Sequence, residues 1–145
     1  MYKHMHVILP TKLKLFQIKQ SVSPLCDRCN VVEDNLHMFS QCQKVQDPFR
    51  YFLYLLNKVC NVENFNIQNV LYLDTQNISR QKRNTLVVIT STFISTIWFN
   101  RDTEPHIESS VIRTKILSQH SMLKIILKEK MNFYFTEQYC NLLKY

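Results

Sequence analysis

The 145-residue chain contains no glycine, although average usage near 7% would give about ten. That removes the one residue that reaches φ > 0 without steric cost and lets a phosphate approach bare backbone. P-loops, dinucleotide-binding fingerprints, nucleophile elbows and EF-hand loops all need it, so none is present. Tight hairpins on type I′ or II′ turns also depend on glycine, leaving asparagine to serve every one of them. An all-β fold is therefore disfavoured, and helices joined by Asn-, Ser- and Pro-containing loops are expected.

A composition that is 46% hydrophobic and 12% aromatic suffices for a core, so overall disorder is not expected. No apolar run approaches the roughly eighteen residues of a membrane span, and Met1–Pro10 lacks the apolar stretch of a signal peptide. These readings predict an intracellular protein, nuclear or cytoplasmic, with no membrane partner. Five cysteines leave an odd one in any disulfide scheme, and an intracellular chain keeps them reduced. Metal binding is then the first question to ask of them. The net charge of +7 is spread along the chain, with an excess of four cations in residues 1–60 and three in 61–145. It permits an anionic partner without locating one.

Pro10 and Thr11 read as a helix start, with Leu13 and Phe16 on one face of a short amphipathic helix from Thr11 to Gln20, ended by Ser21–Pro24. Asp47-Pro48 reads as a cap and first-turn proline, followed by Phe49, Phe52, Leu53, Leu56 and Val59 at helical spacing. One short helix is expected within the Asn-rich residues 61–77. Ser79 can cap a long helix through Arg101 whose stripe is Leu86, Ile89, Phe93 and Ile97. The β-branched run over Thr85–Thr96 would suit a buried strand, but the segment is too long for one. After a break at Asp102–Pro105, Thr103 or Glu104 with Pro105 is expected to start a helix carrying Ile112, Ile116, Leu123 and Ile126/Leu127. The aromatic tail Asn132–Tyr145 is also read as helical.

Chemistry concentrates in one place. Cys26, Cys29, His37 and Cys42 are spaced C-x2-C-x7-H-x4-C, four ligands within seventeen residues and a plausible tetrahedral Cys3His zinc site. A C-x2-C turn points two thiolates at one ion, and the residue after the second cysteine often turns left-handed. Here that residue is Asn30, the best substitute for glycine in that conformation. Asp34 or Asn35 can cap a short helix carrying Leu36, His37, Met38 and Phe39. On an ideal α-helix, residues five apart differ by about 140°, so the helix must end or bend before Cys42 for both to face one ion. Four ligands would close the site and make it structural. Cys60 and Cys140 have no ligand-spaced neighbour and read as packing residues; His4 and His6 read as surface or loop residues, with alternative ligation as their other reading, and His106 and His120 stand alone.

Taken together, Leu9-Pro10-Thr11 with Leu13, the SPLCDRC of Ser23–Cys29 and the NLHMFSQC of Asn35–Cys42 resemble the zinc-binding region that follows the reverse transcriptase in LINE-type (non-LTR) retrotransposons. Ile97-Trp98-Phe99-Asn100-Arg101 is similar to the Ile-Trp-x-x-Arg signature that ends a later helix there. The resemblance covers His6 to Arg101 and implies a helical module with a structural zinc ion on Cys26, Cys29, His37 and Cys42, with Leu9, Pro10, Thr11, Trp98 and Arg101 as framework. It further implies a role in holding template RNA or target DNA. The family often has glycine where this chain has Asn30, and Tyr72-Leu73-Asp74 is not a paired-aspartate polymerase motif.

The fold expected is therefore mainly α: a small irregular CCHC zinc-knuckle-like element followed by a bundle of about four helices. Residues 1–45 would form the N-terminal helix and zinc module, and residues 46–145 a helical region packed with it as one unit. The leading functional expectation is a module without catalytic activity that binds RNA or DNA through Lys12, Lys14, Lys19, Arg28 and Lys44 around the zinc site, and through Arg80, Lys82 and Arg83. The last three crowd a predicted helix start, where the dipole disfavours cations. The alternative is a structural or protein-interaction fragment, self-associating or binding a protein through exposed apolar surface. Enzymatic activity and a small-molecule substrate are not expected, because neither an open metal position nor a nucleophile–base pair can be read from the sequence.

Overall fold

The structure, a computed structural model, describes residues 9–60, 80–103 and 105–127. The helices predicted within 61–77 and 132–145, and the Ser79 cap, lie outside these residues. Among the described residues the protein is mainly helical, with four α-helices: α1 (Lys12–Gln17), α2 (Gln46–Cys60), α3 (Arg80–Asn100) and α4 (Ser109–Leu127). An irregular loop with one isolated antiparallel bridge, Leu25 to Val32, precedes a π-turn at His37–Gln41 and a single 3-10 turn at Gln43–Val45.

Helix α1 begins as its sequence suggests, with the Thr11 hydroxyl accepting a bond from the Lys14 amide at 3.2 Å. It is shorter than the Thr11–Gln20 expected, because a Schellman turn closes it. The Lys19 amide donates to Phe16 and the Gln20 amide to Leu15, at 3.0 and 2.8 Å. Lys19 takes φ = 60° at the position where glycine is usual. Phe16 faces solvent, so Leu13 and Phe16 do not share a buried face.

The core lies where α2, α3 and α4 meet. Phe93 of α3 is its hub: it stacks on Phe52 at 4.3 Å between centroids and meets Phe49 and Phe39 at 6.2 and 6.5 Å. All four predicted stripe residues of α3, Leu86, Ile89, Phe93 and Ile97, are buried. Ile112 and Ile116 of α4 are buried too, as is Ile107 just before it. On α2 the buried set is Phe49, Phe52, Leu55 and Leu56, with Leu53 half-buried. The β-branched run of α3 is helical, in keeping with its length. Buried Thr96 donates to the Thr92 carbonyl at 2.7 Å, satisfying its hydroxyl within the helix.

Two predicted helix starts need correction. The Asp47-Pro48 pair does not sit ahead of its helix, because α2 already begins at Gln46. Helix α4 begins at Ser109 instead of at Thr103–Pro105. The Asp47 carboxylate accepts the Ser109 amide at 2.7 Å, so it caps α4 across 62 residues of sequence. A negative charge at that amide also complements the helix dipole, and the bond holds the Asp47 carboxyl below its ordinary range.

Candidate metal centre

The cysteine-rich loop is folded by its own backbone. Cys26 donates to Val31 and accepts from Asn30, at 2.8 and 2.9 Å, while Glu33 donates to Pro24 at 2.9 Å. Asn30 turns left-handed, φ = 54°, as its place after the second cysteine predicts. This turn brings the Cys29 sulfur within 4.8 Å of that of Cys26.

The second half of the site comes from the π-turn. Asp34 Oδ1 accepts the His37 amide at 2.7 Å and starts it. The Cys42 amide then donates to the His37 carbonyl at 2.8 Å, an i to i+5 bond. That bond closes a wider turn than an α-helix makes, reducing the angular offset that an α-helix would impose on His37 and Cys42. Cys42 itself is extended, φ = −64° and ψ = 134°, so the helix ends there.

The four predicted ligands meet. One sulfur each from Cys26, Cys29 and Cys42 and one ring nitrogen of His37 lie within 4.8 Å of one another, close enough to hold one metal ion. Sulfur–sulfur separations are 3.8 Å for Cys26–Cys42 and 3.8 Å for Cys29–Cys42. Thiolates bound tetrahedrally at about 2.3 Å would be about 3.8 Å apart. Nε2 of His37 is buried and accepts no hydrogen bond. Such a nitrogen costs about 1–3 kcal/mol if left unpaired, so this ring fits a metal ligand.

Electrostatics sharpen the arrangement. Burial pushes the Cys42 thiol up, to about 12, with the nearby Cys26 charge also opposing its ionisation. At Cys26 burial opposes ionisation too, but hydrogen bonds from the Arg28 and Cys29 amides and from the other two thiols outweigh it and bring this thiol below its ordinary value. The Gln43 amide points at Cys29 Sγ from 3.5 Å. Three sulfurs in this space can ionise together only beside a cation.

The framework residues of the N-terminus and of α3 converge on the same corner. Arg101 lies over the Trp98 ring, 4.0 Å from its centroid. Its Nη1 donates to the Pro10 carbonyl at 3.4 Å and approaches Met38 Sδ at 3.5 Å. One guanidinium thus joins the start of α1, the π-turn and the end of α3. Cys26, Met38, Phe39 and Cys42 belong to the same buried cluster as the helical core, with Leu9 and Trp98 packed against it.

The predicted phosphate-contact residues divide. Lys14, Lys19 and Arg28 are exposed. Lys12 pairs with Asp27, and its amide and that of Leu13 bond to Glu33, so α1 is tied to the cysteine loop. Arg80, Lys82 and Arg83 fall in the first turn of α3, and Arg83 is exposed. Lys44 requires a correction: it is only 6% exposed, and its ammonium donates to the Arg101 carbonyl just beyond α3. The negative end of the α3 dipole draws it inward, where it braces the corner and is out of reach of a phosphate. Cys26 and Cys42 border a cleft of about 90 Å³ that is also lined by Lys12, Arg28, Lys44 and Arg101 and by Asp27, Glu33 and Asp102.

Sequence reasoning missed Glu33 and assigned the Asp47 cap to the wrong helix, because each acts on backbone distant in sequence. No protein-family model matches the chain, and no curated protein or solved structure matches it either. No helix among the described residues is long and apolar enough to cross a membrane.

Proposed function

We propose that this chain is a retrotransposon-derived zinc-binding module without catalytic activity, intracellular, that binds RNA or DNA through cations around a structural zinc site. The observation that carries the zinc reading is the convergence of three sulfurs and an imidazole nitrogen within 4.8 Å, with two sulfur pairs at a zinc tetrahedron's edge length. Cys26, Cys29, His37 and Cys42 would hold the ion, which supplies charge compensation and a cross-link between the cysteine loop and the π-turn. With four protein ligands the site has no position for substrate or water, which argues against hydrolysis.

The retrotransposon reading draws support from the way its separate pieces meet. Pro10 and Arg101, the ends of a resemblance spread over the chain, bond to each other beside the metal centre. Nucleic-acid binding rests on the exposed Arg28 of the cysteine loop, on the exposed Lys14 and Lys19 of α1 and the turn that closes it, and on Arg83.

Native mass spectrometry and metal analysis of freshly purified protein should find one zinc per chain. Cys42→Ala should lose it and Cys60→Ala should keep it. Protein that never holds zinc, or that holds it equally well without Cys42, would remove the reading. Labelled RNA and single-stranded DNA should bind at low salt and dissociate as salt rises.

A further inference from the structure

A second surface lies on α2. Arg50, Tyr51, Tyr54 and Lys58 fall at i, i+1, i+4 and i+8, which places them on one side of the helix. The Tyr51 and Tyr54 rings are stacked, 6.3 Å between centroids with 23° between planes. The Lys58 ammonium lies over the Tyr54 ring, 5.7 Å from its centre. Tyr54 is 43% exposed, and Arg50 and Lys58 are exposed. From α4, Arg113 contributes a further cation: burial raises the Tyr51 phenol, and the Arg113 charge acts against that rise. Helix α2 contains one acid, Asp47, engaged with Ser109, and α4 contains none. Arg50 lies near enough to Asp47 to lower its carboxyl as well.

An exposed tyrosine, Tyr54, backed by the ring of half-buried Tyr51 and accompanied by the cations Arg50, Lys58 and Arg113, matches the chemistry of unpaired bases on a phosphate backbone. Aromatic faces accept any base, and the cations follow the strand. A duplex hides its base faces, so it would meet the cations alone. We propose that this strip of α2, with Arg113 of α4, is a stacking platform for single-stranded RNA or DNA, separate from the cations around the metal centre. A base settling on Tyr54 takes the place of the Lys58 ammonium, which is then free to meet the adjoining phosphate. The proposal rests on the nucleic-acid reading above and names the form of the ligand.

The test measures fluorescence anisotropy of a labelled twelve-nucleotide single-stranded RNA of mixed sequence and of a hairpin duplex of equal charge, using the full chain with zinc. The intact chain should prefer the single strand. Tyr54→Ala should weaken single-strand binding roughly fivefold to a hundredfold and leave duplex binding nearly unchanged. Tyr54→Phe, which keeps the ring, should bind like the parent. Lys58→Ala should reduce the salt slope by about one. Thermal melting of each variant establishes that the fold is retained, as expected for so exposed a position. Parent-like single-strand binding by Tyr54→Ala, or equal losses on both ligands, would overturn the platform while leaving nucleic-acid binding intact. Absence of binding to either ligand at low salt would overturn both proposals.

Discussion

The cysteine loop and the helical core of this protein are built on opposite principles. Residues 24–42 are held by a few backbone bonds, a left-handed asparagine and a π-turn, and they converge on sulfur and nitrogen. The core of α2, α3 and α4 is held by apolar contact around Phe93, with aromatic neighbours from two elements. In the first region a single misplaced ligand ruins the whole arrangement. In the second, stability is spread over many side chains and depends on volume. Arg101 and Phe39 join the two, one by polar contacts and the other by packing.

Breaking the core should have the largest effect. Phe93→Ala removes the ring that Phe39, Phe49 and Phe52 all touch, and should cost about 3–5 kcal/mol. Because a domain of this size has only about 5–15 kcal/mol to lose, chemical denaturation should show a severely shifted midpoint. Metal affinity should fall with it, since Phe39 belongs to the π-turn that presents His37.

Much of this core was legible in the sequence. Leu86, Ile89, Phe93 and Ile97 recur at helical spacing, and burial of one stripe follows from the period alone. The four candidate ligands were legible as well, because spacing and residue type are local properties. The shape that unites them was only half legible. An offset between His37 and Cys42 could be calculated, but the π-turn that resolves it needed the buried setting of Met38, Phe39 and Ser40. The start of α4 was misread because its cap, Asp47, lies 62 residues away.

Asp47 gives the next test, of intermediate size. Asp47→Ala should destabilise the protein by about 1 kcal/mol at neutral pH, as loss of a helix cap does. The Ser109 bond lowers the folded-state pKa below the unfolded value, so the stabilisation is full above the unfolded pKa, near 4. It is lost as pH falls through the lower folded value. The stability difference between parent and Asp47→Asn, followed by thermal melting, should therefore shrink in acid below about pH 4.

The smallest effects should come from restoring glycine to the two left-handed positions. Lys19→Gly relieves a side chain held at φ = 60° and should raise stability by up to about 1 kcal/mol. Asn30→Gly, at φ = 54°, should change it by only a few tenths, because asparagine tolerates this conformation. If both gained equally, the cysteine loop would be under the same backbone strain as the end of α1, and the contrast between an adapted Asn30 and a tolerated Lys19 would fail.

By itself the sequence determined the candidate ligand set, the helical character, the apolar stripes and the left-handed turn at Asn30. Each depends on residue type and on neighbours a few positions away. Tertiary structure decided that Lys44 turns inward to the end of α3, that Asp47 caps α4, and that Arg101 joins Pro10 to Met38. It also set the Arg113 charge near enough to Tyr51 to act on its phenol. These are encounters between charged or polar groups and partners far along the chain, and their geometry exists only once the apolar stripes have packed and fixed which helix ends lie side by side.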